Sequence, residues 1–301
     1  MAISRAQLVK ELEPGLNALF GLEYNRYDNE AEQIFSTESS DRAFEEEVML
    51  SGFADASVKP EGQGVTYDYA QETYTARYTN ETIALAFAIT EEAIEDNLYD
   101  RLSTRYTKAL ARSMANTKQT KGANILNRAF NSSYTGGDGL EMCSTAHVTL
   151  AGTQSNEMTT AAELNETSLE TALIDVAAYK DERGLKIAAK AMKLIIPSAL
   201  IFVAERVMAS KLRPGTADND VNAVVSMGMV PNGYAVNHYL TDSNNWFLMT
   251  DVPNGLKHFD RLPIRTAMEG DFDTGNVRYK ARARYSFGWS DWRGIYGVEV
   301  S

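Results

Sequence analysis

The clearest alternation of apolar and polar positions lies near the end of the chain, over residues 277–289. Apolar or aromatic residues occupy every odd position there, and cations occupy four of the even positions. A two-residue period predicts a long β-strand with one apolar and one basic face. The cations are Arg278, Lys280, Arg282 and Arg284. Residues 81–89 show the same period, so we expect the two segments to pair and to bring the first half of the chain back against the last.

Residues 91 to about 130 predict one long helix. Apolar residues recur at intervals of four, acids dominate the first turns and bases the later part, an order that the helix dipole favours. The apolar stripe consists of Ile94, Leu98, Leu102, Tyr106, Leu110 and Met114. At 1.5 Å per residue such a helix spans roughly 60 Å, which exceeds the width of a compact globule of this length. We therefore expect an elongated molecule.

Two segments near the N-terminus have few apolar residues to bury. The first 20 residues show helical spacing on a weak apolar stripe, which is typical of an arm that needs a partner surface. Residues 52–64 are rich in glycine, proline and small side chains and predict an extended loop. Residues 65–79 alternate and predict the two strands of a hairpin, broken near residues 71–73. Because this hairpin is polar on both sides, we expect it to project from the body and to be covered by a neighbouring subunit.

The middle of the chain, from about 160 to 265, mixes helices and strands. A helix is predicted to end at Gly184, followed by a buried strand at 192–196 and a further helix that opens at Pro197. The strands predicted after it lie near 233–241 and 245–251. This order of elements indicates one α+β unit.

Composition and charge exclude several classes of protein. The chain has 301 residues, 44% of them hydrophobic, a mean hydropathy of -0.32 and a net charge of -12. Neither a secretory signal nor a run of about 20 apolar residues is present, so we expect no membrane partner. A chain this acidic is a poor general binder of nucleic acid, because such binding depends on neutralisation of phosphates by lysine and arginine.

The sequence offers little catalytic chemistry. It contains neither a nucleophile elbow, a P-loop nor a dinucleotide-binding glycine motif. Cys143 lies four residues before His147, but the glycine-rich segment before them predicts a loop, and a small buried thiol is the simpler interpretation. One cysteine and three histidines, scattered along the chain, do not predict a zinc site. We therefore expect no enzyme, no cofactor and no metal.

Three segments carry a resemblance to a known family. They are residues 78–100, 192–208 and 277–297. Together with the order of elements, they resemble the major capsid proteins of tailed phages with the HK97-like fold, and within these the Mu-type head subunits. The likeness covers roughly residues 45–301 and rests on the combination of elements, because no single motif is diagnostic.

The resemblance implies an α+β fold of known parts. The expected parts are an N-terminal arm at 1–50, an E-loop hairpin at 51–80, a peripheral P-domain at 81–160 whose spine helix is the one at about 91–130, an axial A-domain at 161–268 with a loop at 213–222 facing the symmetry axes, and a C-terminal strand at 269–301 that returns to the P-domain.

The resemblance also implies partners. The chief partner is the chain itself, in hexamers and pentamers of an icosahedral or prolate shell around double-stranded DNA. A portal and a decoration protein are further expected partners. Scaffolding is expected as a separate protein, since only about 50 residues precede the hairpin and many relatives carry a long, cleaved scaffolding segment there. The expected location is the virion, after assembly in the host cytoplasm.

Intersubunit contacts are expected on the hairpin and on the basic strand. The candidates are Lys59, Tyr67, Tyr69, Tyr74, Arg77, Arg282 and Arg284. Lys59 is the sole lysine of the hairpin region and so the sole candidate there for the lysine–asparagine cross-link that some relatives form, with a solvated loop lysine as the alternative. The tyrosines are expected to pack on a neighbour, although stacking on nucleic-acid bases is a second interpretation.

Alternatives remain open for the basic strand and for the function. The strand's cations have two possible partners, the acids of a neighbouring element or subunit, such as the run Glu45–Glu47 or the first turns of the long helix, and DNA phosphates. For the function, the alternatives are an encapsulin-like compartment shell that packages a cargo protein, and another virion component such as a tail protein. The long predicted helix argues against a β-rich tail tube.

Overall fold

The computed structural model describes residues 5–90, 92, 99–212, 221–271 and 275–300. Its helices are α1 (Arg5–Tyr24), α2 (Tyr99–Asn127), α3 (Glu166–Ala177), α4 (Ile201–Ala209) and α5 (Ala223–Met227). Its strands are β1 (Ser36–Ser39), β2 (Phe44–Leu50), β3 (Glu72–Thr79), β4 (Glu81–Ile89), β5 (His147–Thr149), β6 (Gly152–Gln154), β7 (Ala191–Pro197), β8 (Tyr234–Asn237), β9 (Trp246–Thr250), β10 (Leu256–Gly270), β11 (Val277–Trp289) and β12 (Ile295–Val298).

The first sheet has the strand order β1-β10-β11-β4. β11 pairs antiparallel with β4, with Ile83 opposite Ala283 and Phe87 opposite Tyr279. The pairing predicted from the two alternating segments is therefore confirmed. The odd-numbered side chains of β11 are buried over its first half and its basic side chains point to the other face, because successive residues of a strand point to opposite faces.

Helices α1 and α2 cover the apolar face of this sheet. Leu16 and Phe20 of α1 pack with Leu110 and Met114 of α2 against the odd-numbered residues of β11. The side chain of Asn17 accepts hydrogen bonds from Thr266 Oγ1 (2.7 Å) and from Tyr279 Oη (2.9 Å). Leu16 and Phe20 thus find apolar partners within their own chain, and the assignment of residues 1–50 as an arm stays a prediction.

The long helix is confirmed from Tyr99 to Asn127, while most of its predicted start, residues 91 and 93–98, lies outside the described residues. At 1.5 Å per residue, α2 is roughly 43 Å long. Its first half lies on the first sheet, and Leu126 near its end belongs to a second core cluster with Ile195, Phe247 and Ile295. One helix therefore joins two cores.

The second sheet has the order β12-β9-β7-β8. The predicted strands at 192–196, 233–241 and 245–251 are confirmed as β7, β8 and β9, and α4 follows β7 as expected. The predicted helix before them ends earlier than Gly184: α3 ends at Ala177, after beginning at a capping box made by Asn165 and Ser168. Gly184 instead lies in a later turn with a φ of +90°.

The border between the two sheets differs from the predicted boundary after residue 268. β10, which the sequence placed with the axial elements, pairs with β11 in the first sheet. β12, at the end of the segment expected to return to the first sheet, pairs with β9 in the second. The C-terminal segment thus serves both sheets. Of the loop predicted to face the symmetry axes, residues 213–220 lie outside the described residues.

The hairpin is present, but its strands are not the predicted ones. β3 pairs with β2, from Phe44 opposite Thr79 to Leu50 opposite Glu72. Residues 51–71 between them form no strand, so the prediction of two strands within 65–79 is wrong. The alternation at 65–69 misled because the true partner of the second strand, β2, contains the run of three acids Glu45–Glu47, which shows no alternation.

A buried polar junction holds the C-terminal segment. The Arg293 guanidinium lies 2.7 Å from the carboxylate of Glu182 and 3.2 Å from that of Asp291, and it also donates to the carbonyl of Lys180. The amide of Asn156 donates to three backbone carbonyls, two of them in the segment Trp292–Ile295. Buried charges are stable only when they are paired and hydrogen-bonded. The C-terminal segment is therefore held in the position that keeps these ion pairs and hydrogen bonds.

Acid should destabilise the unassembled subunit through His258. Its ring is buried and stacked on Phe287, with Thr37 Oγ1 3.2 Å from Nδ1. Burial, aided by Lys118, lowers the pKa of His258 to about 4. A lowered histidine pKa contributes stability that is complete above the unfolded pKa of about 6.5 and is lost as the pH falls towards the folded value, about 2–3 kcal/mol by pH 4.5. Urea unfolding at pH 7 and pH 4.5 should therefore show a larger loss for the wild type than for His258→Phe. Equal losses would contradict this assignment.

Two glycines should respond to alanine with opposite signs. A Cβ on Gly297 would lie 2.6 Å from Cys143 Sγ and 2.8 Å from the ring of Phe130, whereas a Cβ on Gly21, within α1, would meet nothing within 4 Å. Gly297→Ala should destabilise the subunit by about 1–3 kcal/mol through overpacking. Gly21→Ala should stabilise it by about 0.5–1 kcal/mol, because alanine loses less backbone entropy in a helix. Urea midpoints of both variants at pH 7 test the pair, and a stabilised Gly297→Ala would overturn the packing argument.

Candidate intersubunit surfaces

Residues 51–71, named here the finger, extend beyond the β2–β3 hairpin. Every residue from Phe53 to Gln71 is exposed. Tyr67 and Tyr69, both predicted contacts, are 82% and 81% exposed, and Val58 is 93% exposed. Apolar and aromatic side chains this open to water, contiguous in one projecting segment, are typical of an interaction site. Lys59 also lies on the finger and is exposed.

The finger is hydrogen-bonded to the body near its C-terminal end, through Asp68 and Tyr69. The Asp68 carboxylate accepts hydrogen bonds from the backbone N–H groups of Ala54 and Tyr69, each 2.8 Å long. Arg183 donates to Asp68 at 2.8 Å and to the carbonyl of Tyr69 at 3.0 Å. The two backbone hydrogen bonds, with Arg183, lower the pKa of Asp68. Arg183, which the sequence did not mark as functional, therefore fixes where the finger leaves the body.

Two predicted contacts of the hairpin lie on β3 and not on the finger. Tyr74 is half-buried, and its hydroxyl donates to the carbonyl of Ser290 at 3.2 Å. Burial raises the pKa of Tyr74. Tyr74 thus already has a partner within its own chain, and its contact with a neighbouring copy stays a prediction. Arg77 is exposed, but its guanidinium lies over the ring of Phe44 at 3.9 Å and 3.8 Å from Glu46, so part of its bonding capacity is already used.

The basic face predicted for β11 is present. Together with one arginine of β10 it forms the cationic strip, which consists of Arg265, Arg278, Lys280, Arg282 and Arg284. The first four are exposed, and Arg284 is partly so. Arg278 forms an ion pair with Asp271. Among the residues that the structure describes, no acid lies within ion-pair distance of the other four.

Two features show that the strip is electrostatically unsatisfied in the single chain. Arg265 and Arg282 are directly opposite each other on the β10–β11 ladder, and like charges in that position destabilise a sheet. The Nε atom of Arg284 is buried and lacks a hydrogen-bond partner among the described residues. An anion from outside the chain would relieve the repulsion between Arg265 and Arg282.

The acids that the sequence offered to the strip are used elsewhere. Glu45 accepts a hydrogen bond from Ser40 at 2.8 Å, and Glu47 forms an ion pair with the buried Lys257. Burial lowers the pKa of Lys257, but its hydrogen bonds to Glu47 and Glu38 outweigh this and raise it. The acids predicted for the start of the long helix lie largely outside the described residues. The run Glu45–Glu47 therefore anchors the hairpin and does not neutralise the strip of its own chain.

A row of alanines lies beside the strip on the same face of the sheet. Ala84, Ala86 and Ala88 of β4 are opposite Arg282, Lys280 and Arg278 respectively, and all three alanines are exposed. Small side chains leave the long basic side chains room to extend across β4. The sequence contained the signal for this row, in the small alternate positions of 81–89, and for Arg265, in the alternation of Ile264, Thr266 and Met268.

The candidate catalytic thiol is not paired with the nearby histidine. Cys143 is fully buried, and burial raises its pKa well above the usual value. His147 Nδ1 lies 2.6 Å from Asp138, its Nε2 lies 3.0 Å from Asn156 Oδ1, and its ring stacks on Trp292. His147 is thus bonded within the buried junction and not to Cys143. This agrees with the interpretation of Cys143 as a small buried thiol.

Among the described residues, no group of three histidine, cysteine or acidic side chains is placed to hold a metal ion. Nor does any helix in that part of the chain have the length and apolar character needed to cross a bilayer.

The sequence and the structure were compared with known proteins. The family model of the phage capsid proteins matches residues 73–298. No curated protein matches the sequence. The capsid of an empty GTA particle has a similar structure, with a TM-score of 0.58 and 13% identity over 91% of each chain. The procapsid of bacteriophage JBD30 gives 0.54 and 13% over 99% of this chain and 77% of its own. The virus-like particle of Pyrococcus furiosus gives 0.52 and 13% over 94% and 98%.

These matches establish the fold and the family. The structural likeness, at such low identity, carries the α+β HK97-like capsid fold, and the family model covers most of the chain from β3 to β12. The finer likeness to Mu-type head subunits stays a prediction. The chain therefore belongs to the phage capsid protein family, a family of structural shell proteins.

Proposed function

We propose that this chain builds the head of a tailed phage as hexamers and pentamers of one icosahedral or prolate shell around double-stranded DNA. The observation that carries the proposal is made on the described residues: residues 53–71 of the finger are exposed, and four of the five cations of the strip have no acid within ion-pair distance, while the family and fold are those of shell proteins. Copies related by closed symmetry supply both surfaces to one another many times over.

The two sheets take the roles of the peripheral and axial domains that the family resemblance implies, with bounds that follow the strand pairing. The first sheet with α1 and α2 serves as the peripheral domain, and the second sheet with α3 and α4 as the axial domain near the symmetry axes. The finger serves as the E-loop. Assembly takes place in the host cytoplasm around a separate scaffolding protein, with a portal at one vertex and a decoration protein on the finished shell.

The two unsatisfied surfaces complement each other in charge. The finger contains Asp55, Glu61 and Asp68 against a single cation, Lys59. The strip contains five cations on one face of a chain whose net charge is -12. We infer that Arg282 and Arg284 contact acids of a neighbouring copy, and that Tyr67 and Tyr69 pack on that neighbour. Contact of the strip with packaged DNA is the weaker alternative, because the rest of the subunit repels phosphate.

An encapsulin-like compartment shell is the second candidate function. It shares the fold, but the matching family model is that of phage capsid proteins, which disfavours it. Shells recovered from the natural source would contain double-stranded DNA under the proposed function and a single cargo protein under the alternative.

Reversing the charge of the strip should abolish assembly without unfolding the subunit. In Arg282→Glu/Arg284→Glu, the acids of the neighbour would meet acids, and like charges placed together at an interface cost several kcal/mol. Negative-stain images should show no closed shells, while circular dichroism shows a folded subunit. The matched control is Lys186→Glu/Lys190→Glu, which changes the net charge equally at two exposed lysines far from the strip in sequence. Normal shells from the arginine variant would remove the strip from the interface.

Shortening the finger should separate folding from assembly. Ser51 and Gln71 already approach, since the backbone N–H of Ser51 donates to the carbonyl of Gln71 at 2.9 Å. Replacement of residues 53–69 by Asn-Gly therefore closes the hairpin with a tight turn of a favoured type. The thermal midpoint should stay within about 5 °C of the wild type, and sedimentation should show capsomers or monomers in place of shells. Intact shells from this variant would refute the role of the finger.

A further inference from the structure

β4 is an edge strand whose outer side is open. In the part of the chain that the structure describes, it pairs only with β11, and it ends the strand order of the first sheet. Leu85, on the face towards the helices, is 46% exposed. Among the described strands, none pairs with the backbone N–H and C=O groups of β4 that point away from β11, a row along nine residues.

This edge lacks the usual protections against strand addition. Edge strands are normally short, carry lysine or proline, or bend at a bulge. β4 contains Glu81 as its single charge, has no proline, and pairs with β11 in unbroken register from Glu81 to Ile89. An edge this long, regular and apolar persists in a protein without aggregation when a specific strand covers it.

The finger contains a segment suited to that position. Residues 65–70 alternate as a strand does, with Val65, Tyr67 and Tyr69 on one side and Thr66 and Asp68 on the other. In the single chain these residues nevertheless form no strand, and Tyr67 and Tyr69 stay exposed. A strong strand pattern without a ladder indicates that the ladder lies in another molecule.

We propose that residues 65–70 of one copy add as a strand to the free edge of β4 in a neighbouring copy. The inference rests on the proposed function, since it requires that copies assemble. Both faces of the added strand match the sheet. Val65, Tyr67 and Tyr69 extend the apolar face of Ile83, Leu85 and Phe87.

The opposite face matches in charge. An added strand lies about 10 Å from β11, two strand spacings away. Arginine side chains of the strip reach it across the alanine row, because Ala84, Ala86 and Ala88 do not obstruct them. Asp68 then exchanges its pair with Arg183 of its own chain for a pair with the neighbour's cationic strip. The Asp68 carboxylate then supplies the negative charge that Arg282, opposite Arg265 on the β10–β11 ladder, does not have in the single chain.

Hydrogen exchange followed by mass spectrometry on assembled shells and on unassembled subunits tests the proposal. The amides of residues 65–70, and those of 81–89 that are open in the subunit, should exchange at least about 100-fold more slowly in shells, as strand amides do when they enter a ladder. Shells in which both segments exchange as fast as in the subunit overturn the strand addition and leave the proposed function standing. Protection of residues 52–59 in place of 65–70 also overturns it, since the other limb of the finger is then the added strand. Failure of the wild-type protein to form any shell overturns both.

A pair of proline variants gives an independent test. Neighbouring residues of a strand point their N–H groups to opposite sides, so either Thr66→Pro or Tyr67→Pro must remove a donor used by the added ladder. Both positions are exposed and outside strands in the subunit, so circular dichroism should show that both variants fold. At least one should raise the concentration needed for assembly by at least about 10-fold relative to its alanine counterpart, Thr66→Ala or Tyr67→Ala, which keeps the N–H group. If both prolines assemble as the alanines do, no ladder forms there.

Discussion

The antiparallel pairing of β4 with β11 is the constraint on which the rest of the structure depends. The two strands are separated by almost the whole body of the chain, and their contact makes one sheet from its first and last thirds. Once they pair, the alternation of β11 leaves one choice of faces, because a shift of one residue would bury the arginines. The apolar face must then be covered, and α1 and α2 cover it. The basic face is left outward, beside the small side chains of β4. One face of the sheet thus packs in the core of the subunit, and the other face is open to contacts with other copies.

The two sheets are held as one body by a helix and by a polar junction. α2 contributes Met114 to one core and Leu126 to the other. The junction around Arg293 sits where the chain passes from β11 to β12, that is, from one sheet to the other. A bare hydrophobic contact at this crossing would tolerate sliding, whereas a buried arginine with two carboxylate partners does not. A subunit built in this way transmits a force from one sheet to the other.

Local patterns allowed most of the fold to be predicted. The alternation of β11 and β4, the apolar stripe of α2, and the strands β7 to β9 each carry a period that one segment alone reveals. The wrong predictions concern which segments of the chain pair or pack with each other. Strand β2 was missed because it contains an acidic run, and the buried partner of Glu47 is Lys257, 210 residues further on. The N-terminal helix seemed to lack a core because its core is supplied by β11. The sheet to which β10 and β12 belong depends on pairings that no local window contains.

The candidate surfaces show the same limit. The cations of β11 and the exposed tyrosines of the finger were visible as types and spacings. The intrachain partner of Tyr74, the carbonyl of Ser290, could not be predicted because it lies far along the sequence. Arg265 and Arg183 were missed because their roles depend on partners distant in sequence. Arg265 lies opposite Arg282 on the ladder, and Arg183 donates to Asp68. Whether a charge is satisfied is a property of the folded chain, and the sequence shows only that the charge exists.

The closed base of the finger has a consequence for engineering. Ser51 and Gln71 are bonded to each other in both directions, and the tip turns at Gly62, where the N–H of Gln63 donates to the carbonyl of Pro60. The ends of the segment are thus held together whatever its length, and closing a flexible loop of twice the length costs only about 0.6 kcal/mol more. A foreign peptide spliced in after Glu61 would leave the body of the subunit undisturbed. Every copy in a particle would then display that peptide, which makes the tip a natural graft point for a multivalent antigen carrier.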